Sequence, residues 1–340
     1  MKMPRAAEAD WSRWTTLASA VVVAFFFSGC AGVQSTLAPQ GPEAARVALL
    51  SWVMFIAAGI ILLGVTLLCA LAIYGRERWR GWLAREGAAI GGGVAFPVVT
   101  LTALLSCGLI LTSRGRPPSA DMPPLKISVV GERWWWRVFY ENGVGGSFES
   151  ANEIRIPVNR PVEIELTTAD VIHSFWAPTL AGKMDMIPGR TNMLTLQATK
   201  AGVSRGQCAE YCGGAHALMA FDVVAMPRPA YGEWLAHTAA PAAAPRSPIE
   251  REGLKLFLES GCGGCHTIRG TSALGKIGPD LTHVGGRLSL GAAILPNDPS
   301  AFARWIRHNQ QIKPGNLMPP YGIFTDNELA ALSTYLSQLR

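Results

Sequence analysis

Two stretches of the chain, Val47 to Tyr74 and Ala88 to Thr112, contain no charged residue. Each is long enough to cross a hydrocarbon core of about 30 Å as a helix. Together they predict a transmembrane hairpin over residues 47–112. The loop between them carries Arg76, Arg78, Arg80 and Arg85 against Glu77 and Glu86, which places it on the cytoplasmic side and both ends of the mature chain outside. Pro97 and the glycines at 91, 92 and 93 permit a kink or close helix packing in the second span. The pattern then shortens to β-rich runs: Lys126 to Val130, Trp134 to Tyr140, Glu153 to Val158, Val162 to Thr168, Met193 to Ala198 and Ala220 to Val224. Gly, Pro and Asn separate them, which predicts an antiparallel sandwich or barrel over residues 120–227. Thr238 to Pro248 is mostly Ala and Pro, so residues 228–248 read as a semi-extended linker. Helical spacing returns in Ile249 to Ser260, Pro299 to Asn309 and Asp326 to Leu339, with Asp326 as N-cap. Residues 249–340 are therefore expected to form a small, mainly helical domain.

Length and charge sharpen this division. A chain of 340 residues exceeds what one core organises, and only 16% of its residues are charged, as for a membrane protein with soluble parts. The formal charge of +6 is not gathered into a Lys/Arg stripe interleaved with aromatics, which argues against a nucleic-acid partner. Residues 1–29 combine Lys2, Arg5 and Arg13 with an apolar stretch from Leu17 to Phe27 and then Ser28-Gly29-Cys30. This is the pattern of an export signal with a bacterial lipoprotein processing site, leaving Cys30 as the lipid-bearing first residue of an outer segment, 30–46. An uncleaved hydrophobic anchor is the other reading of the same residues.

The seven cysteines are unevenly placed. Cys69 and Cys107 sit in apolar runs and read as small buried hydrophobes. Residues 207 to 219 run Gln-Cys-Ala-Glu-Tyr-Cys-Gly-Gly-Ala-His-Ala-Leu-Met. Cys208, Cys212, His216 and Met219 form a soft, copper-preferring set, and His173 would add a second imidazole. A single-copper electron-transfer site needs one Cys, so the second is surplus unless a second metal is present. A disulfide between Cys208 and Cys212 is the alternative for an exported chain. Further on, Cys262-Gly263-Gly264-Cys265-His266 is the c-type haem attachment motif, with two thiols for the porphyrin and an axial imidazole.

The segments around the first pair resemble subunit II of cytochrome c oxidase, including Asp170-Val171-Ile172-His173-Ser174-Phe175-Trp176 and Lys183-Met184-Asp185-Met186-Ile187-Pro188-Gly189-Arg190. The likeness covers roughly residues 45 to 227 and implies a cupredoxin-like domain holding the dinuclear copper centre CuA. It implies Cys208 and Cys212 as bridging sulfurs, His173 and His216 as imidazole ligands, Met219 as the weak thioether ligand and Glu210 as the backbone carbonyl ligand. The Glu210 side chain would also serve a magnesium site at the contact with subunit I. Trp134, first of Trp134-Trp135-Trp136, is the counterpart of the residue through which electrons enter. Alternation would put Trp134 and Trp136 on one strand face and Trp135 on the other.

Residues 249 to 340 resemble a class I cytochrome c. Asn316-Leu317-Met318-Pro319-Pro320 resembles its methionine loop and Gly278-Pro279-Asp280-Leu281 its Pro-containing loop. The resemblance implies covalent haem c on Cys262 and Cys265, with His266 and Met318 as axial ligands and His308 and His283 as rivals to Met318. The combined order looks like caa-type oxidases. It implies partnership with subunit I and other membrane subunits, an external donor such as cytochrome c or a bc-type complex, membrane lipid, and a place on the outer face of a bacterial inner membrane. Oxygen reduction would then belong to subunit I. A copper-containing nitric oxide reductase shares the same motifs, and a membrane-anchored copper chaperone or redox sensor is the reading from another class.

Overall fold

The computed structural model describes residues 32–113, 124–141 and 146–340. The expected signal and Cys30 lie outside the described residues. Helices α1 (Pro42–Tyr74) and α2 (Phe96–Ser113) stand where the two spans were expected, and the apolar runs Pro42–Tyr74 and Glu86–Leu111 are both long enough to cross a membrane. Ahead of α2 the backbone adopts a π-helical turn, Gly91–Ala95. Pro97 has no N–H to give and its ring crowds the carbonyl of Gly93, so the wider turn absorbs the fault.

The expected outer segment is built into the next domain. Gln40 N donates to Thr179 O at 2.7 Å, Thr199 N donates to Gln40 O at 2.8 Å, and Ala44 and Ala48 of α1 are buried. A Cβ on Gly41 would lie 2.4 Å from Gln197 O, so only glycine lets α1 start so close to this domain.

That domain is a sandwich of two five-stranded sheets. One has β1 (Leu125–Glu132) at its centre, flanked by β2 (Trp135–Glu141), β3 (Ser147–Ala151), β5 (Val162–Thr168) and β8 (Asn192–Leu196). The other runs β4 (Glu153–Pro157), β10 (Ala220–Met226), β9 (Gly202–Cys208), β6 (His173–Trp176) and β7 (Met184–Met186). The sheets are mixed rather than purely antiparallel: β1 pairs parallel with β5, and β4 with β10. Inward side chains follow the two-residue period, so Ile127 and Val129 of β1 face Ile164 and Leu166 of β5 in the core. Trp136 packs edge-on to Phe175 and Phe221 with centroids 5.7 and 5.0 Å away. Gly206 admits the Phe221 ring, which an added Cβ would meet at 2.1 Å. The strand begins at Trp135, so the alternation expected to pair Trp134 with Trp136 stops short: Trp136 is fully buried, whereas Trp134 sits in the preceding turn.

The linker expectation is corrected in part. Residues Arg228–Ala239 form helix α3, whose Trp234 packs on Tyr140 with centroids 5.1 Å apart. Pro at N1/N2 and aromatic anchors outweigh the Ala-rich tail that made the segment look extended. Only residues 240–247 run without helix or strand, and Ala242 N donates to Arg269 O at 2.9 Å.

The final domain packs α4 (Pro248–Glu259), α5 (Pro299–Ile312) and α6 (Asp326–Gln338) around Phe257, Phe302, Leu332 and Tyr335. The N-cap of α6 is Thr325, in a capping box with Glu328, rather than Asp326, which lies in the first turn. Helices α4 and α6 cross at Gly253, where a Cβ would meet Ala331 O at 2.3 Å and Tyr335 Cβ at 2.6 Å. Gly253→Ala is therefore expected to destabilise this domain by about 1–3 kcal/mol, as overpacking does, read as a lowered melting midpoint.

Candidate metal centre and haem cavity

The loop between β9 and β10 folds back so that Cys208 N donates to Met219 O at 2.9 Å. This closure stacks the soft donors. Cys208 Sγ lies 3.8 Å from Cys212 Sγ and 3.8 Å from His173 Nδ1, while Cys212 Sγ lies 3.4 Å from His216 Nδ1 and 3.8 Å from Met219 Sδ. The Glu210 carbonyl oxygen is 3.2 Å from Cys208 Sγ. The donor atoms of His173, Cys208 and Cys212 all lie within 4.8 Å of one another. His173, Cys208, Cys212 and Met219 are buried.

The electrostatics suit a cation. The Asp170 carboxylate can only accept, so at 2.9 Å it fixes the His173 proton on Nε2 and turns the Nδ1 lone pair toward the sulfurs. Burial opposes ionisation of Asp170, but hydrogen bonds from His173 and the amides of Val171 and Arg133 hold its carboxyl below the usual range. The hydrogen bond from Cys212 is the largest influence drawing the Cys208 thiol down to about 3, and giving that bond while buried pushes Cys212 up. A soft cation held by the two sulfurs would displace their protons. The thiols lie 3.8 Å apart as free cysteines, so they are not joined in a disulfide.

The Glu210 carboxylate turns away, accepting from Tyr211 N at 3.3 Å and lying 3.9 Å from Lys183 Nζ at the surface.

In the last domain, Cys262, Cys265, His266 and Met318 all line one cavity, with apolar walls from Phe257, Ile306 and Leu332. The Pro279 carbonyl accepts from His266 Nδ1–H at 2.8 Å, leaving Nε2 free as a ligand atom. Burial depresses His266, which keeps the imidazole neutral. A Cβ at Gly278 would lie 2.5 Å from His266 Cε1, so this glycine makes room for the ring. The methionine loop is pinned by Gln310, whose Nε2 donates to Asn316 O at 2.7 Å and Met318 O at 3.0 Å. A buried imidazole with one committed nitrogen, two adjacent thiols and an apolar slot fit a haem. Neither rival borders the cavity: His283 Nε2 donates to Ala240 O at 3.0 Å on the linker side, and His308 is exposed.

The two sites meet at Trp134. Its Nε1–H donates to Cys212 O at 3.0 Å, and its ring also borders the cavity. Two glycines admit the ring, since a Cβ at Gly213 or Gly315 would come within 3.2 Å of it. Around this contact Arg137 Nη2 donates to Lys276 O at 3.0 Å, and Arg155 Nη2 to Gly286 O at 2.9 Å. The Glu149 and Glu153 carboxylates accept from Asp280 N at 3.2 Å and Leu288 N at 2.6 Å. Sequence reasoning did not assign Asp170 or Pro279 a role, although both lie in motifs it had quoted. It missed Lys313 as well, a single cation in a polar stretch that no pattern marks.

A β-sandwich with clustered soft donors, a helical domain with a haem-type cavity, and a membrane hairpin define a membrane-anchored electron-transfer protein. Comparison with known proteins gives the family. The description "Cytochrome C oxidase subunit II, periplasmic domain" matches residues 140–226, and "Cytochrome c" matches residues 250–340. The chain is 31% identical to cytochrome c oxidase subunit 2 of Alkalihalophilus pseudofirmus, over 96% of this chain and 98% of that one. It is also 31% identical to the same subunit of Bacillus sp. strain PS3, over 73% of this chain and 70% of that one. A solved periplasmic domain of cytochrome oxidase subunit II from Bradyrhizobium japonicum is 32% identical, covering 36% of this chain and 96% of its own, with a TM-score of 0.33. The chain belongs to the cytochrome c oxidase subunit 2 family, with a cytochrome c domain at its C-terminal end.

Proposed function

We propose that this is the electron-input subunit of a respiratory cytochrome c oxidase. Its residues would hold a covalent haem c and a dinuclear copper centre, which would carry electrons from an external donor to a haem of subunit I, where oxygen is reduced to water. The observation that carries this is the position of Trp134, hydrogen-bonded to Cys212 O and lining the cavity of His266 and Met318. When bound, haem and copper supply one-electron carriers.

The chain's own residues hold and orient them. Cys262 and Cys265 would anchor the porphyrin, and His266 and Met318 would ligate its iron. Cys208 and Cys212 would hold two coppers, with His173, His216, Met219 and the Glu210 carbonyl completing the set. The Glu210 carboxylate is the candidate for a magnesium at the subunit I contact. The copper-holding domain corresponds to 120–227 and the haem-holding domain to 249–340, both on the outer face of a bacterial inner membrane. Trp134 faces the chain's own haem cavity rather than open solvent, which favours an internal route over direct docking of the donor on the copper domain.

Asp170→Ala should free the His173 ring and lower copper affinity about 10–100-fold, the range for loss of a partner that orients a ligand. Chelator competition measures it. The function itself is tested by extracting the chain from membranes in mild detergent. It is expected to co-purify with a large polytopic subunit and to support oxygen consumption from reduced cytochrome c. Consumption of nitric oxide instead would identify the reductase, and isolation without such a partner would identify a chaperone or sensor.

A further inference from the structure

We propose that Lys313 is a positioning residue that clamps the haem domain onto the copper-ligand loop and fixes the gap electrons cross, an inference that rests on the function proposed above. Lys313 follows α5 and starts the loop that carries Met318. Its Nζ donates to Trp134 O at 2.5 Å, Leu218 O at 2.9 Å and Gly291 O at 3.0 Å. An ammonium has three protons, and all three are used. Two of the acceptors belong to the copper domain. Trp134 itself donates to Cys212 O, and Leu218 immediately precedes Met219.

The third acceptor, Gly291, lies at the tip of a short hairpin in the haem domain, β11 (Ser289–Leu290) with β12 (Leu295–Pro296). The rest of that tip grips the two strands that flank the copper-ligand loop, β9 and β10. Ala292 O accepts from Ala220 N at 3.3 Å, next to Met219, and Ala293 O accepts from Arg205 Nη2 at 2.7 Å. Ala292 and Ala293 hold φ values of 70° and 60°, a region alanine seldom occupies unless its surroundings impose it. Both are buried.

Lys313 is only 3% exposed and has no carboxylate within ion-pair distance among the described residues. Burial pushes its ammonium down to about 7. Burying a cation on neutral carbonyls is a poor way to gain adhesion when the rim already carries Arg137, Arg155 and Arg205. Its three directed bonds instead set orientation.

The test uses the full chain in its oxidase, with Lys313→Met and Lys313→Gln. Transfer from haem to copper is followed after photoreduction of the haem. The Met variant should be slower by at least about tenfold, because misplacement by about 1 Å can cost 10²-fold. The Gln variant, which keeps two donors, should be slowed less. Both metal spectra and the rate of haem reduction by the external donor should be unchanged, which a merely destabilised haem domain would not allow. An unchanged transfer rate in a Met variant carrying both centres would overturn the proposal. The unmodified complex gives a second reading by lysine amidination and mass spectrometry. Lys313 should react at least about tenfold more slowly than Lys255, which is 58% exposed, because labelling must wait for local opening. Equal rates would equally overturn the clamp. Absence of haem-to-copper transfer in the unmodified chain would instead remove the functional reading, with Lys313 protection still reporting the clamp.

Discussion

Cys212→Ser is expected to abolish the dinuclear copper centre while leaving the haem domain intact. Cys212 Sγ is the hub of the donor cluster, 3.8 Å from Cys208 Sγ, 3.4 Å from His216 Nδ1 and 3.8 Å from Met219 Sδ. Serine keeps the volume and its hydroxyl is a hard, protonated donor, so one of the two soft sulfur donors is lost. The remaining Cys, two His and Met are the set of a single-copper site. In the parent an unpaired electron shared by two copper nuclei should split the paramagnetic resonance signal into about seven lines, and in the variant into about four. Turnover should fall by more than the roughly 10–100-fold that follows loss of a supporting partner. The haem spectrum should not change, because Cys262, Cys265, His266 and Met318 sit on the other domain.

Met318→Leu should be the second large effect. Leucine approximates the volume of methionine, so the apolar wall survives. The loop is held independently of that side chain, since Asn316 Oδ1 accepts from Met318 N at 3.0 Å and Gln310 donates to two carbonyls of the loop. What is lost is the thioether. Met/His ligation raises a haem potential, so a fall of some hundreds of millivolts is expected, within the roughly 0.8 V that axial ligands span. The haem should stay attached through Cys262 and Cys265, and spectroelectrochemical titration gives the shift. An unchanged potential would return the ligand role to another group, although His283 and His308 both point elsewhere.

How much of this was legible depends on the kind of signal. The membrane hairpin, six of the ten sandwich strands and the three longest helices of the last domain follow from apolar periodicity and length. The strands that went unseen, Ser147–Ala151, His173–Trp176, Met184–Met186 and Gly202–Cys208, are short or built from Ser, Gly and Asp. Pairing to neighbours, not their own propensity, makes them strands. The donor residues were legible because their spacing is chemical: Cys208, Cys212, His216 and Met219 occupy one loop, and Cys262 to His266 are contiguous. Domain docking was not. Lys313, Arg137 and the 291–293 tip act through backbone carbonyls, and a carbonyl leaves no trace in residue identity. The Ala/Pro linker accordingly looked like the whole connection, when direct contacts hold the domains together.

The central claim is that electrons pass from this chain's own haem to its own copper centre. Rapid photoreduction of the haem in the purified oxidase, with copper absorbance followed in time, tests it most directly. The account predicts that the haem is reoxidised as the copper is reduced, with one shared rate that does not change with protein concentration. Copper reduction that precedes the haem, or a rate that rises in proportion to protein concentration, would contradict it.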